Sequence, residues 1–424
     1  MIRLDRRFFD KIYNIQIDDK QKKELVQHCL NEKVSSKVGF YNLPKLMKPV
    51  LKEIRSFVKS LPAEIDTFLL IGVGGSALGP QTIDEALRTS KTKKKFICLD
   101  NTDPDVLNDV LDTINLEKTV VNVVSKSGST LETMVNFSVI HDVFYSKLKE
   151  KSYQHYVFTT DPENSCLKDY AEEHNVKCFY IPPNVGGRFS VLSPVGLLMT
   201  EFMGYNGTKL LNGAERIISS FFDDTDPQAK NDLLDYTLLK FHAFRNDHKS
   251  VSVMMPYSSK LAHFSAWYKQ LWGESLGKRT DLDGANIYVG QTPVAAVGSV
   301  DQHSILQYLI EGPKSAIMTF IKINKRVSIH TVEHPLLNTM FSNTNIGNLN
   351  NKQLNASAEA LANEGRPSLI LEIETLNETS LGQLFIFFEF VTSVWGKLLN
   401  INPYDQPGVE LGKKLLKISI GHNK

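Results

Sequence analysis

Between residues 67 and 181, five short apolar runs alternate with stretches of helical length: "TFLLIG" (67–72), "KFICLD" (95–100), "TVVNVV" (119–124), "HYVFTT" (155–160) and "KCFYI" (177–181). No other feature restricts the fold as strongly. Strands separated by helices imply right-handed crossovers and a parallel sheet covered on both faces. The pattern shifts to longer helical stretches around 201–215, "EFMGYNGTKLLNGAE". A second set of strand candidates then follows at 250–255 "SVSVMM", 316–323 "AIMTFIKI" and 368–373 "SLILEI". Helical patterns surround this set at 259–276, 302–311, 352–364, 381–399 and 408–418, and two amphipathic ones, about 18–32 and 43–61, precede the first set. The expectation is an α/β protein of two lobes, divided near 200–210. The segment 324–350 fits neither pattern.

Binding sites on such sheets lie at the C-terminal ends of strands. There the chain places "SKSGST": Ser125, Lys126, Ser127, Gly128, Ser129 and Thr130, just before the helical stretch 131–149. Hydroxyls and free N–H groups at a helix start make a cradle for an anion. A cap needs one hydroxyl; four of them beside a lysine exceed that need. The first strand ends in "IGVGGSALGP", where glycines bring the backbone close to a ligand and Ser76 adds a hydroxyl. Gly72-x-Gly74-x-x-Ala77, followed by Asp100, also meets a loose dinucleotide fingerprint, so a nucleotide enzyme competes. Two loops closing on one anion suit a monophosphate better than a pyrophosphate.

A third turn, "NVGGRFSVLSPVGLL", sets Arg188 after two glycines. It is either a surface ion-pair partner or a cation placed to stabilise developing negative charge. In "WYKQLWGESLGK", Gln270 and Glu274 share a helix face among Trp267, Leu271 and Trp272. Partial burial would make Glu274 a stronger base; a solvated helix carboxylate is the plainer alternative. His303 in "VDQHSILQYLIEG", and Gln406 and Lys413 in "YDQPGVELGKKLLK", carry little weight singly.

The stretch His330 to His334 matches the H-x-x-E-H pattern of some zinc peptidases. It lies in β-branched "RVSIHTVEHP", which favours an extended chain. Extended, its histidines would stand roughly 13 Å apart and could not share one ion. No metal site is therefore expected. The net charge of +1 gives no broad field for nucleic acid or an anionic membrane. Neither a signal peptide nor a membrane span is visible, and four dispersed cysteines suit a reducing, cytoplasmic setting.

Taken together, "IGVGGSALGP", "VSKSGSTLET", "GGRFSVLSPVGLL", "GESLGK", "DQHSILQYLIEGPK" and "DQPGVELGKKL", in that order, closely resemble the glucose-6-phosphate isomerase (phosphoglucose isomerase) family in its compact bacterial form. The resemblance implies two sugar-isomerase (SIS) type αβα sandwich domains with parallel sheets and helical extensions at both ends. It places an N-terminal extension at 1–45, domains at 46–205 and 206–400, and a helix carrying the active-site lysine at 401–424. It implies reversible conversion of glucose 6-phosphate to fructose 6-phosphate through a cis-enediol(ate), in glycolysis and gluconeogenesis, with no cofactor. It also implies a homodimer with shared sites.

By the same resemblance Ser76, Ser125, Ser127 and Thr130 bind the phosphate, with Lys126 and Thr133 nearby. Glu274 is the base, Arg188 stabilises the enediolate, and Gly75, Gly187, Gln270 and Gln406 contact substrate. His303, supplied by the partner subunit, and Lys413 serve ring opening. The chain departs from the family in Ser127-Gly128-Ser129, where a threonine-rich loop with an aromatic is common, in Pro407, where an aromatic is common, and in Trp272-Gly273, where an acidic residue often precedes the glutamate. These departures bear on substrate preference, mannose 6-phosphate included. A regulatory sugar-phosphate sensor would have no need of Glu274, His303 and Lys413 together.

Overall fold

In the computed structural model, which describes residues 1–421, the five early apolar runs form one parallel sheet in the order Lys95–Leu99, Thr67–Ile71, Thr119–Val124, Tyr156–Thr160, Lys177–Tyr180. Leu69 lies beside Val121 and Ile71 beside Val123 in this ladder. Alternate side chains serve opposite faces, as strand geometry demands. Leu69, Ile71, Val121 and Val123 pack on Phe137, Ile140 and Phe144 of helix Leu131–Leu148. Phe68, Leu70, Val120 and Val124 face the other way, into a larger core with Leu51 and Leu198. Both faces are covered, which is why the central strands are apolar throughout rather than alternating.

The second sheet has the order Arg3–Asp5, Ser368–Ile373, Ala316–Ile323, Val251–Pro256, Thr292–Ala295. Its last four strands are mutually parallel; Arg3–Asp5 runs antiparallel at the edge, with Arg3 opposite Glu372. Two of these strands escape the sequence pattern. Arg3–Asp5 is too short to show a period, and it lies in the stretch read as a helical extension. "TPVA", at Thr292–Ala295, is an edge strand of four residues that contains a proline.

Both sheets share the larger core. Met254, Ile317 and Leu371 of the second join Phe68 and Val120 of the first through helices Gly207–Asp223, Ala262–Leu276 and Glu378–Leu398. The last of these is buried from Ser380 to Gly396 on every side, so its sequence is apolar without amphipathic stripes. A small hairpin, Lys278–Thr280 with Asn286–Val289, follows helix Ala262–Leu276.

The segment that the pattern could not place runs irregularly to a single turn at Thr339–Phe341, then enters helix Ile346–Asn363. That helix starts six residues before the expected 352, capped by Asn345 on the N–H of Asn348. His330 pairs with Asn345 in an isolated bridge and residues 331–334 are not helical. Among the described residues no helix is long and apolar enough to cross a membrane.

Candidate active site

In the first sheet the chain goes from Thr67–Ile71 to one edge, as Lys95–Leu99, and resumes on the other side as Thr119–Val124. The winding direction reverses between these two strands, and a crevice opens at their C-terminal ends. The loops leaving them are Gly72–Ser76 and Ser125–Thr130.

In the second loop Ser125, 1% exposed, has its Oγ 2.9 Å from Thr130 Oγ1, and Ser129 Oγ donates to Ser127 Oγ at 3.0 Å. Thr130 stands at the N-cap of helix Leu131–Leu148, yet its side chain makes no cap bond. Asp18, Asp103, Asn206, Asp226, Asn345 and Asn377 do cap their helices. The hydroxyls here are thus held away from the capping role that would have explained them. Gly128 takes φ +67°, and a Cβ there would meet Ser165 Oγ at 2.4 Å, so glycine alone fits the turn. Thr133 is buried with its hydroxyl unpartnered by protein.

Lys126, expected near the phosphate, is tied to backbone carbonyls. Its ammonium donates to the carbonyls of Pro183 (2.6 Å) and Val185 (3.0 Å), bracing the turn that leads to Arg188. Burial lowers its pKa below the usual lysine value.

Backbone contact joins the first glycine loop to the Arg188 turn. A Cβ on Gly75 would lie 2.3 Å from the Gly187 carbonyl and 2.6 Å from the Arg188 nitrogen. Gly74, at φ +55°, leaves room for Gln270, whose Nε2 would be 2.7 Å from a Cβ at that position. Gln270 Oε1 is buried and has no protein partner. The two glycine turns and Gln270 therefore close on one another.

Arg188, 3% exposed, is gripped from three directions. Its Nε donates to Ser275 Oγ (2.7 Å), Nη2 to the carbonyls of Pro403 (2.7 Å) and Asp405 (3.0 Å), and Nη1 to Gln406 Oε1 (2.8 Å). Nη1 also reaches Glu274 Oε2 at 3.4 Å, a long contact. Burial pulls the guanidinium's pKa down and the Glu274 charge pulls it up, and an arginine stays cationic in either case.

Glu274 sits in the last turn of helix Ala262–Leu276 with its side chain 35% exposed. A carboxylate is disfavoured at the negative end of a helix. Two cations offset this: Arg188, and Lys278, whose ammonium donates to the Glu274 carbonyl at 2.8 Å and the Asp405 carbonyl at 2.7 Å. The result is a carboxylate beside a fixed cation, itself only loosely held.

Sequence reasoning missed Ser275, Lys278 and the carbonyls of Pro403 and Asp405. The two side chains lie inside "GESLGK" and could have been found there; backbone acceptors leave no sequence signal.

Lys413 is exposed on helix Glu410–Gly421 and pairs with Glu410 at 2.7 Å. It lines a cavity of about 840 Å³ together with Ser127 and Thr130, on the hydroxyl-loop side rather than beside Glu274. His303, at the end of the turn Val300–His303, is exposed. Within one chain the structure thus brings together Gly75, Gly187, Arg188, Gln270, Glu274 and Gln406, and separately Ser125, Ser127, Thr130 and Lys413.

Doubly wound lobes of this kind, with a hydroxyl loop at a strand end of the first and an Arg188–Glu274 pair joining the two, place the fold with the SIS-type α/β proteins. The comparisons narrow this. Residues 30–423 match the model of the phosphoglucose isomerase family, and the chain belongs to that family. It is 35% identical over 407 residues to a glucose-6-phosphate isomerase of Carboxydothermus hydrogenoformans, covering 92% of this chain and 86% of that one. A crystal structure of a hypothetical protein from Thermus thermophilus superposes with a TM-score of 0.91 at 34% identity, over 99% of this chain and 100% of the other. The glucose-6-phosphate isomerase of Chlamydia trachomatis gives a TM-score of 0.81 at 25% identity, over 96% and 86%.

Proposed function

We infer that this protein interconverts glucose 6-phosphate and fructose 6-phosphate, an aldose–ketose isomerisation, with Glu274 as the base. The observation that carries the assignment of the base is the Glu274–Arg188 pair beside the glycine turns. In this reading Ser76, Ser125, Ser127 and Thr130, with Thr133 beneath them, hold the phosphate. The open-chain sugar then extends toward Gln270 and Gln406, so that binding energy at the remote end positions the reacting end. Glu274 takes the proton from C2 and returns it to C1 while the hydroxyl proton passes from O2 to O1, or the reverse. Its long contact to Arg188 costs little to break when substrate enters. The cis-enediolate carries negative charge on oxygen, and the buried guanidinium, already oriented, stabilises that charge without reorganising. Gly75 and Gly187 let the backbone close on the sugar.

His303 and Lys413 open the ring. Exposed, His303 is assigned to the active site of a partner subunit in a homodimer. Lys413, lining the cavity at the hydroxyl loop, is assigned to its own chain. No cofactor takes part, and the residues assigned here form neither a nucleic-acid surface nor a membrane anchor.

A coupled assay reading glucose 6-phosphate formed from fructose 6-phosphate, with chelator present, tests the activity. Glu274→Gln is expected to lower kcat about 10²–10⁴-fold while phosphate affinity stays. A Glu274→Gln enzyme as fast as the parent would remove the base assignment. Mixing Glu274→Ala with His303→Ala tests the shared site. Random re-association makes half the dimers mixed, each with one intact site, so activity recovers to about a quarter of the parent. No recovery, with subunit exchange proven, would put His303 in its own chain's site.

A further inference from the structure

The N-terminal helix Asp19–Ser35 contributes nothing to the chemistry proposed above, yet its Glu32 is joined to the loop that grips Arg188. One oxygen, Glu32 Oε2, lies within hydrogen-bond distance of the hydroxyls of Tyr41 (2.8 Å), Ser393 (2.8 Å) and Tyr404 (2.9 Å). Ser393 Oγ also lies 2.7 Å from the Tyr41 hydroxyl and 2.9 Å from that of Tyr404, so three hydroxyl protons are shared over five contacts around the carboxylate. Burial raises the pKa of both phenols well above the usual tyrosine value, so both are protonated donors. Hydroxyls that share one acceptor and one another form a closed network, which fixes its members together.

Tyr404 stands between Pro403 and Asp405, the two residues whose carbonyls hold Arg188 Nη2 at 2.7 and 3.0 Å. Its ring packs 5.6 Å from that of Phe189, the residue after Arg188. The same loop is pinned by Asn402, which accepts from the Tyr404 N–H and donates to Asp405. A tether that only docked the N-terminal helix would have no reason to fall on this residue.

We propose that Glu32 and Tyr404 are positioning residues for the isomerase reaction: by fixing Tyr404 they set the two carbonyls that aim Arg188 at the reacting oxygen. The proposal rests on the role given to Arg188 above.

The test is Tyr404→Phe and Glu32→Gln, with folding checked by circular dichroism and melting. Tyr404→Phe is expected to lower kcat about tenfold, with KM kept within about twofold, because a slightly misplaced group costs rate rather than affinity. Glu32→Gln keeps an acceptor and should retain more activity than Glu32→Ala. In an Arg188→Lys background the effect of Tyr404→Phe should shrink below about twofold, since residues acting in one chain of contacts are not additive.

A readout independent of turnover is the rate at which phenylglyoxal modifies Arg188, followed by peptide mass. It should be slow in the parent and faster in folded Tyr404→Phe. A parent that labels slowly, a variant that labels fast and no isomerase activity in either would overturn the function and leave the positioning standing. A folded Tyr404→Phe with parental kcat and parental labelling, or the same rate loss in both backgrounds, would overturn the positioning.

Discussion

In the first sheet the chain leaves Thr67–Ile71 for the edge strand Lys95–Leu99 and returns on the other side as Thr119–Val124; in the second it leaves Val251–Pro256 for Thr292–Ala295 and returns as Ala316–Ile323. The winding is the same, so each sheet has a crevice at the C-terminal ends of its reversing strands. The first residue past the strand decides what each crevice becomes. In the first sheet it is Gly72, opening a loop of glycines and a hydroxyl. In the second it is Tyr257, fully buried, with its OH donating to Ser357 at 2.9 Å. Gly298 closes on that ring so tightly that a Cβ would lie 2.4 Å away. One crevice is open to a ligand and the other is filled by a side chain.

The second lobe contributes through a different part of itself. A crossover helix runs opposite to its strands, so the last turn of Ala262–Leu276 lies far from the filled crevice. That turn carries Glu274 to Arg188, in the first lobe. The loops proposed to bind and the proposed base thus come from opposite ends of two similarly wound sheets. The two halves of the site also differ in stiffness. Arg188 has partners on all three guanidinium nitrogens, whereas the hydroxyls of the Ser125–Thr130 loop are partnered mainly by one another. On the proposed assignment, the reacting end is set in advance and the phosphate end keeps donors to give.

That contrast breaks most visibly at Arg188. Arg188→Ala is expected to lower kcat about 10²–10³-fold, as for loss of a group that stabilises the transition state. It should also cost about 3 kcal/mol of stability, because buried acceptors lose their donor. Chemical denaturation beside steady-state kinetics checks both. Parental stability would mean that the cradle is not closed as described.

A smaller and opposite pattern is expected at the hydroxyl loop. Ser127→Ala and Thr130→Ala should each weaken substrate and inorganic phosphate by roughly 1.5–3 kcal/mol, the value of a hydrogen bond to a charged group. Stability should stay near parental, since neither hydroxyl caps the helix. Calorimetric titration with phosphate reads the first and melting the second. Variants that bind phosphate as the parent does, yet melt early, would return the loop to a purely structural role.

The sequence carried the central strands of both sheets because runs such as "TFLLI" and "AIMTFI" are apolar on both faces and bounded by turns. The edge strands Lys95–Leu99 and Lys177–Tyr180 were also legible, by their apolar content, whereas Arg3–Asp5 and Thr292–Ala295 were lost because they are short, partly exposed and poor in apolar pattern, and tertiary pairing alone makes them strands. Helix Ile346–Asn363 was entered late because its first turns, "IGNLNN", have little apolar content before Leu354. Of the candidate site, the charged and hydroxyl side chains that the fold gathers were legible in motifs. What orients them was not. Glu32 and Tyr404 lie 372 residues apart and meet only in the fold, and the carbonyls that hold Arg188 could belong to any residue type.

The central claim is that a proton leaves the sugar, rests on Glu274 and returns to the neighbouring carbon. Running fructose 6-phosphate to glucose 6-phosphate in D2O, with chelator present, and reading deuterium at C2 of the product by mass spectrometry and NMR tests it most directly. Some solvent deuterium at C2 is expected, because a carboxylic acid 35% exposed to water exchanges its proton between the two transfers. Product with the original hydrogen fully retained, formed at the same rate by Glu274→Gln, would contradict the account.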